Sequence, residues 1–105
     1  MKLEIKNIGQ AGTLESSDAQ VIVAPGVSEG IHIELQSPVI QQFGEQMQEV
    51  VRDTLNKMNI TNVSVKIQDQ GALDCTLRAR TLAAVLRAAG KQEELDWELI
   101  DKWSV

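Results

Sequence analysis

The chain has 105 residues, 43% of them hydrophobic and 24% charged, which places it among single globular domains with a modest core and outside the disordered class. Fifteen acids against ten bases leave a formal charge of -5. That balance disfavours non-specific binding to nucleic acid or an anionic membrane, where Lys and Arg must neutralise phosphate, and favours docking on basic surfaces. A single cysteine, Cys75, excludes an internal disulfide, and a single histidine, His32, leaves no His/Cys cluster for a structural zinc. No apolar run approaches the length of a membrane span and no secretory leader pattern opens the chain, so a soluble cytoplasmic protein is expected.

In chain order, Leu3 and Ile5 alternate with charged residues over Met1 to Asn7, enough for a short or frayed strand. Gly9, Gly12 and the polar residues around them read as loop, ending in Gly12-Thr13-Leu14-Glu15-Ser16-Ser17-Asp18, where two hydroxyls stand between two acids. Ala19 to Ala24 is a β-branched run stopped by Pro25-Gly26, and Ile31, Ile33 and Leu35 alternate with polar residues beyond Gly30. The short connection between these runs predicts an antiparallel strand pair.

Ser37-Pro38 is a helix start signal, with Ser able to cap free N–H groups and Pro suited to the first helical position. Val39, Ile40, Phe43, Met47, Val50, Val51, Leu55 and Met58 then recur at three- and four-residue spacing, which predicts an amphipathic helix with Asn59 as a left-handed stop. Asp53 and Lys57 have the spacing of a favourable i,i+4 pair. Val63, Val65 and Ile67 alternate next, and Asp69-Gln70-Gly71 turns the chain into Leu73, Cys75 and Leu77, read as a second strand pair with Cys75 a buried apolar residue. A last helix is expected from about Arg80 to a cap at Gly90, with Leu82, Val85, Leu86 and Ala89 on one side. Residues 91–105 read as a short helix or packed tail, whose Trp97 and Trp103 either pin it to the core or form a contact patch.

The order ββαββα predicts an α+β fold, a two-layer sandwich in which one sheet is covered by two helices. The expected division is an exposed N-terminal segment over 1–18 with the serine loop, an α+β core over 19–90 and a tail over 91–105. An exposed serine is a weak nucleophile until a base takes its proton, and no histidine lies near the loop in sequence. His32 alternates out of the apolar strand face as a solvated residue, and Met47 and Met58 lie on the core-facing stripe.

Four landmarks stand in order along the chain: Ala11-Gly12-Thr13-Leu14-Glu15-Ser16-Ser17-Asp18, Gln42-Phe43-Gly44, Asp69-Gln70-Gly71-Ala72-Leu73-Asp74-Cys75, and Leu77-Arg78-Ala79-Arg80. Together they resemble the acyl carrier protein, or gamma subunit, family of bacterial citrate lyase, over roughly residues 9 to 90. The resemblance implies a non-catalytic carrier to which phosphoribosyl dephospho-coenzyme A, derived from triphosphoribosyl dephospho-coenzyme A, is joined through a phosphodiester. The family position of the linkage corresponds to Ser16, whereas local chemistry does not separate Ser16 from Ser17.

The implied cargo is acetyl and citryl thioester, and the implied partners are the alpha (acyl transferase) and beta (citryl lyase) subunits and the transferase that loads the carrier. The larger subunits would cleave citrate to acetate and oxaloacetate. A related role in malonate decarboxylase uses the same type of arm, and an unmodified protein-binding module is the alternative from another class. A free-standing serine enzyme fares worst, since the Gly-x-Ser-x-Gly elbow and a dedicated histidine are both missing. Glu15 and Asp18 either help the transferase recognise the loop or simply solvate it. Arg78 and Arg80 either meet the arm's phosphates or form a surface pair, and Asp74 either positions the turn or meets a partner.

Overall fold

A computed structural model describes residues 5–26 and 29–90. The strands are β1 (Gly9–Ala11), β2 (Ala19–Pro25), β3 (Ile31–Gln36) and β4 (Val63–Asp69), and the helices α1 (Ile40–Lys57) and α2 (Asp74–Ala88). Four strands make one sheet in the order β1-β2-β4-β3. The expected α+β sandwich is present, with both helices on one sheet face. Along β2 and β4 alternate residues are buried, and the antiparallel register sets Val21 against Ile67 and Val23 against Val65, so the apolar set of both strands falls on one side.

Against that side α1 buries Met47, Val51 and Leu55 at four-residue intervals, and α2 buries Leu77, Thr81, Ala84, Val85 and Ala88. Full burial of a side chain such as Leu55 or Leu77 contributes roughly 1.5–3 kcal/mol. The two hydroxyls carried into the core do not go unpaired: Thr54 Oγ1 donates to the Val50 carbonyl and Thr81 Oγ1 to that of Leu77, each at 2.8 Å. Met47 and Met58 lie in this core, as their spacing implies. The Lys57–Asp53 pair forms at 3.1 Å, and Asn59 (φ 60°) and Gly90 (φ 71°) take the left-handed conformation expected of helix stops.

Two expectations are corrected. The runs over β2 and β3 are strands but do not pair with each other; β4 lies between them, antiparallel to β2 and parallel to β3. The β3–α1–β4 segment is therefore a βαβ unit rather than the start of a second hairpin. Second, Leu73, Cys75 and Leu77 do not form a strand, so the order is βββαβα rather than ββαββα. Their alternation is coincidental with a helix start: Leu73 is 70% exposed, Cys75 is exposed, and only Leu77 is buried, as the first of the i, i+4, i+7 series that packs on the sheet. Cys75 is thus not a core residue.

A further correction is that Gly9–Ala11, read from sequence as loop, is strand β1. Ile5 packs partly buried against the core without being in a strand, and Lys6 and Asn7 donate their backbone N–H groups to the Ala88 carbonyl at the end of α2. β1 then crosses α2 so closely that a Cβ at Gly9 would overlap the Ala84 carbonyl oxygen and the Ala88 amide nitrogen. The readings made for Leu3, and for the tail with Trp97 and Trp103, lie outside the described residues.

Candidate functional site

The strand directions gather three connections at one end of the sheet. β2 begins, and β3 and β4 end, at the Ala19–Asp69 and Gln36–Gln68 pairs. The Gly12–Asp18 loop, the β3–α1 turn and the β4–α2 turn therefore meet there, and both helices direct their N-terminal, partly positive ends toward it. Neither helix has a side-chain cap bonded at its N-cap residue, Val39 or Leu73. Ser37, expected to cap α1, instead accepts from the Val39 N–H at 3.2 Å and donates to Asp69 Oδ2 at 2.8 Å.

The serine loop is a closed structure held at its base. Gly12 has φ 90°, and a Cβ there would collide with the Ala19 carbonyl oxygen, so the loop's entry and exit approach as only glycine allows. Asp18 closes the other side: its Oδ2 accepts from the Thr13 N–H at 3.1 Å and hydroxyl at 2.7 Å, and its Oδ1 from the Ala19 N–H at 2.7 Å. Arg80 of α2 grips the same carboxylate, with Nε 2.9 Å from Oδ1 and Nη2 3.2 Å from Oδ2. The Arg80 guanidinium, followed by the Thr13 hydroxyl and the Ala19 N–H, holds the Asp18 carboxyl well below the usual carboxylate range, and Asp18 in turn raises the Arg80 pKa.

Above this base the chain turns sharply. The Asp18 N–H donates to the Glu15 carbonyl at 3.2 Å, leaving Ser16 and Ser17 as the two central residues of the turn. Ser17 is left-handed (φ 64°), and its N–H donates to the Gln70 carbonyl at 2.8 Å; Gln70 returns a bond of 2.8 Å to the Asp18 carbonyl. These bonds extend the β2–β4 ladder into the loop. Both serines are exposed, as expected of them, and no described residue hydrogen-bonds either hydroxyl.

No histidine stands at the loop among the described residues. Asp18 is too weakly basic to take a serine proton, being held ionised by Arg80. His32 pairs with Ser64, four residues back along β3 from Gln36, which places it about 13 Å from the loop end of the sheet. Asp18 and Arg80 are each other's partner across 62 residues, a contact that sequence reading did not consider. Glu15 remains exposed, and the Nε of Arg78 is buried with no hydrogen-bond partner among the described residues. Among the described residues no group of three or more His, Cys, Asp or Glu is placed to hold a metal ion, and no helix is long and apolar enough to cross a membrane.

Sequence reasoning missed a concavity beside the loop. The turn after β4 is knitted by the buried carboxylate of Asp69, which accepts from the Gly71 and Ala72 N–H groups at 3.0 and 2.9 Å as well as from Ser37. On one side of this turn lies a polar depression of about 410 Å³ between Leu14, Pro38 and Gln70. On the other side lies a groove of about 610 Å³, mostly apolar, lined by Val39, Phe43, Met47, Ala72, Leu73 and Cys75. Gln46 bridges its rim, donating to Asp74 Oδ2 at 2.7 Å. The signal available in sequence was the helix-like offset from Cys75 to Leu82, obscured by the alternation before it.

A small α+β domain that holds out an accessible, unassisted hydroxyl is matched by an acyl carrier family model, described as malonate decarboxylase delta subunit (MdcD), over residues 6–88. The fold is shared with a chain of the malonate decarboxylase hetero-tetramer from Pseudomonas, which superposes with a TM-score of 0.67, covering 83% of this chain and 89% of that one at 17% identity. Closer in sequence is the citrate lyase acyl carrier protein of Lacticaseibacillus casei, 52% identical over 101 residues, which are 96% of this chain and 98% of that protein. The citrate lyase acyl carrier protein of Oenococcus oeni is 46% identical over 98 residues, 93% of this chain and all of the other. This chain belongs to the citrate lyase acyl carrier protein family.

Proposed function

We propose that this chain is the non-catalytic carrier subunit of a citrate-cleaving lyase, and that Ser16 accepts phosphoribosyl dephospho-coenzyme A in phosphodiester linkage. The observation that carries the reading is the Ser16 hydroxyl, exposed and without a hydrogen-bond partner among the described residues, on a turn whose base is tied by Asp18, Arg80 and Gln70. A loading transferase brings its own base and its own grip on the donor's phosphates, so the carrier supplies only a reachable oxygen in a reproducible place. The residues suit an anionic diester: the nearest buried carboxylate of the loop, Asp18, is neutralised by Arg80, and two helix N-termini face this end of the domain.

When bound, the arm supplies a thiol that carries acetyl and citryl groups as thioesters. What this chain contributes is position. Gly12 and Asp18 fix the loop's entry and exit, and the Ser17–Gln70 bond fixes its tilt against the sheet. The partners in this reading are the alpha (acyl transferase) and beta (citryl lyase) subunits and the loading transferase. The acidic net charge of -5 suits docking on basic surfaces of such partners. Service in malonate decarboxylase is the second reading, favoured by the description of the family model and by the fold of the Pseudomonas chain. The relatives at about half identity favour citrate lyase.

The test is intact mass and peptide mapping after incubation with the transferase and triphosphoribosyl dephospho-coenzyme A. One added group on the Ser16 peptide is expected, lost in Ser16→Ala and kept in Ser17→Ala. An adduct mapped to Ser17, or none beside an active transferase, would overturn the attachment assignment.

A further inference from the structure

We propose that the apolar groove between the starts of α1 and α2 is a resting site for the thiol end of the arm on its own carrier. The inference rests on attachment at Ser16. The occupant is the pantetheine portion of that arm, a largely neutral chain of methylene, methyl and amide groups ending in sulfur.

Continuity with the attachment loop carries the argument. The Asp69–Leu73 turn bonds the serine loop on one side, through Gln70 to Ser17 and Asp18, and walls the groove on the other, through Gly71, Ala72 and Leu73. Leu73 is three residues beyond Gln70, so their Cα atoms lie no more than about 11 Å apart. An arm with ribosyl, nucleoside, pyrophosphate and pantetheine groups in line is longer than the path from Ser16 to Leu73. The chemistry changes along that path in the order the arm requires. Next to Leu14 and Gln70 the surface is polar, a suitable bed for sugar and phosphate, whereas beyond Gly71 it is mostly apolar.

The groove also accounts for side chains that the fold leaves uncovered. Phe43 and Leu73 are large apolar residues exposed on its two walls. Apolar surface gathered at a concavity, with a few polar groups at the rim, is the form of a small-molecule site rather than of ordinary scattered exposure. Gln46 and Asp74 offer amide and carboxylate groups to the arm's amides, and Cys75 adds a thiol to the lining.

Cys75 makes the site testable without any lyase reaction. The carrier is loaded on Ser16, its thioester removed with hydroxylamine, and the free dithiol oxidised with diamide at high dilution. One S–S bond forms as two S–H bonds break, and both hydrogens and two electrons pass to diamide, reducing it to the hydrazine. The comparison is Cys75→Ser/Asn56→Cys, which keeps one protein thiol but moves it to an exposed position at the other end of α1.

Intramolecular Cys75–arm disulfide, seen as a loss of two hydrogens and as a linked Ser16–Cys75 peptide pair, is expected to form at least ~10-fold faster than the relocated disulfide. Phe43→Asp should reduce that advantage. Equal rates in the two proteins, or disulfide that forms mainly between molecules, would overturn the groove while leaving Ser16 attachment intact. Loading on Ser17 or failure to load, read from the mass before oxidation, would overturn the attachment reading and the groove with it.

Discussion

At the scale of single residues, the position of one hydroxyl depends on a carboxylate that sequence reading assigned either to recognition by the transferase or to solvating the loop. Asp18 accepts five hydrogen bonds from Thr13, Ala19 and Arg80, and the sequence gave no hint of the two from Arg80 because it is 62 residues away. Arg80 is 41% exposed, so solvent screens the pair and its chief effect is to place the loop. Its titration has a definite sign. A folded-state pKa depressed below the ordinary Asp value means that the unfolded chain binds more protons in acid, so this contribution is present above about pH 4 and is lost as pH falls toward the folded pKa. Urea denaturation of wild type and Asp18→Asn should therefore show wild type more stable at pH 7 and the gap shrinking steadily below about pH 4. A gap independent of pH between 7 and 3 would refute the assignment.

At the scale of elements, legibility followed periodicity. Eighteen residues of α1 carried enough turns for the apolar stripe to be unambiguous, and β2 and β4 alternate cleanly because one sheet face is covered. The start of α2 was misread since a period of two over Leu73, Cys75 and Leu77 is too short to exclude the first turn of a helix, while Asp69 organises the turn through backbone N–H groups that sequence does not display. The serine loop was legible as an exposed loop from its Gly, Ser and Asp content; its anchors and the neighbouring groove were not, because both depend on which turns the topology brings to one end. The two readings of residues 73–77 separate in mutagenesis. Leu77, 1% exposed, should cost about 2–5 kcal/mol on replacement by Ala, whereas Leu73→Ala should stay within about 0.5 kcal/mol, both measured by urea denaturation. Comparable losses at both positions would restore a buried strand face.

At the scale of the whole molecule, the strand order makes the domain one cooperative unit and so a steady platform for a mobile arm. β2 and β3 are consecutive in sequence yet share no ladder, and each finds its neighbour only when β4 inserts between them after α1. Neither the chain up to α1 nor the β3–α1–β4 unit alone covers the buried faces of both β2 and β4, since α2 packs on β1, β2 and α1. The most protected amides of β2, α1 and α2 are then expected to exchange only through global unfolding. Ile67, 1% exposed at the centre of the sheet, tests this, because truncating it removes core contacts from β4 alone. Native-state hydrogen exchange of Ile67→Ala should lower the protection of the slowest amides in β2, α1 and α2 together, by about 2–5 kcal/mol each. If the slowest amides of α1 kept their wild-type protection while those of β2 lost it, the helices and sheet would be separable, and the platform on which the loop and its groove keep a fixed relation would dissolve.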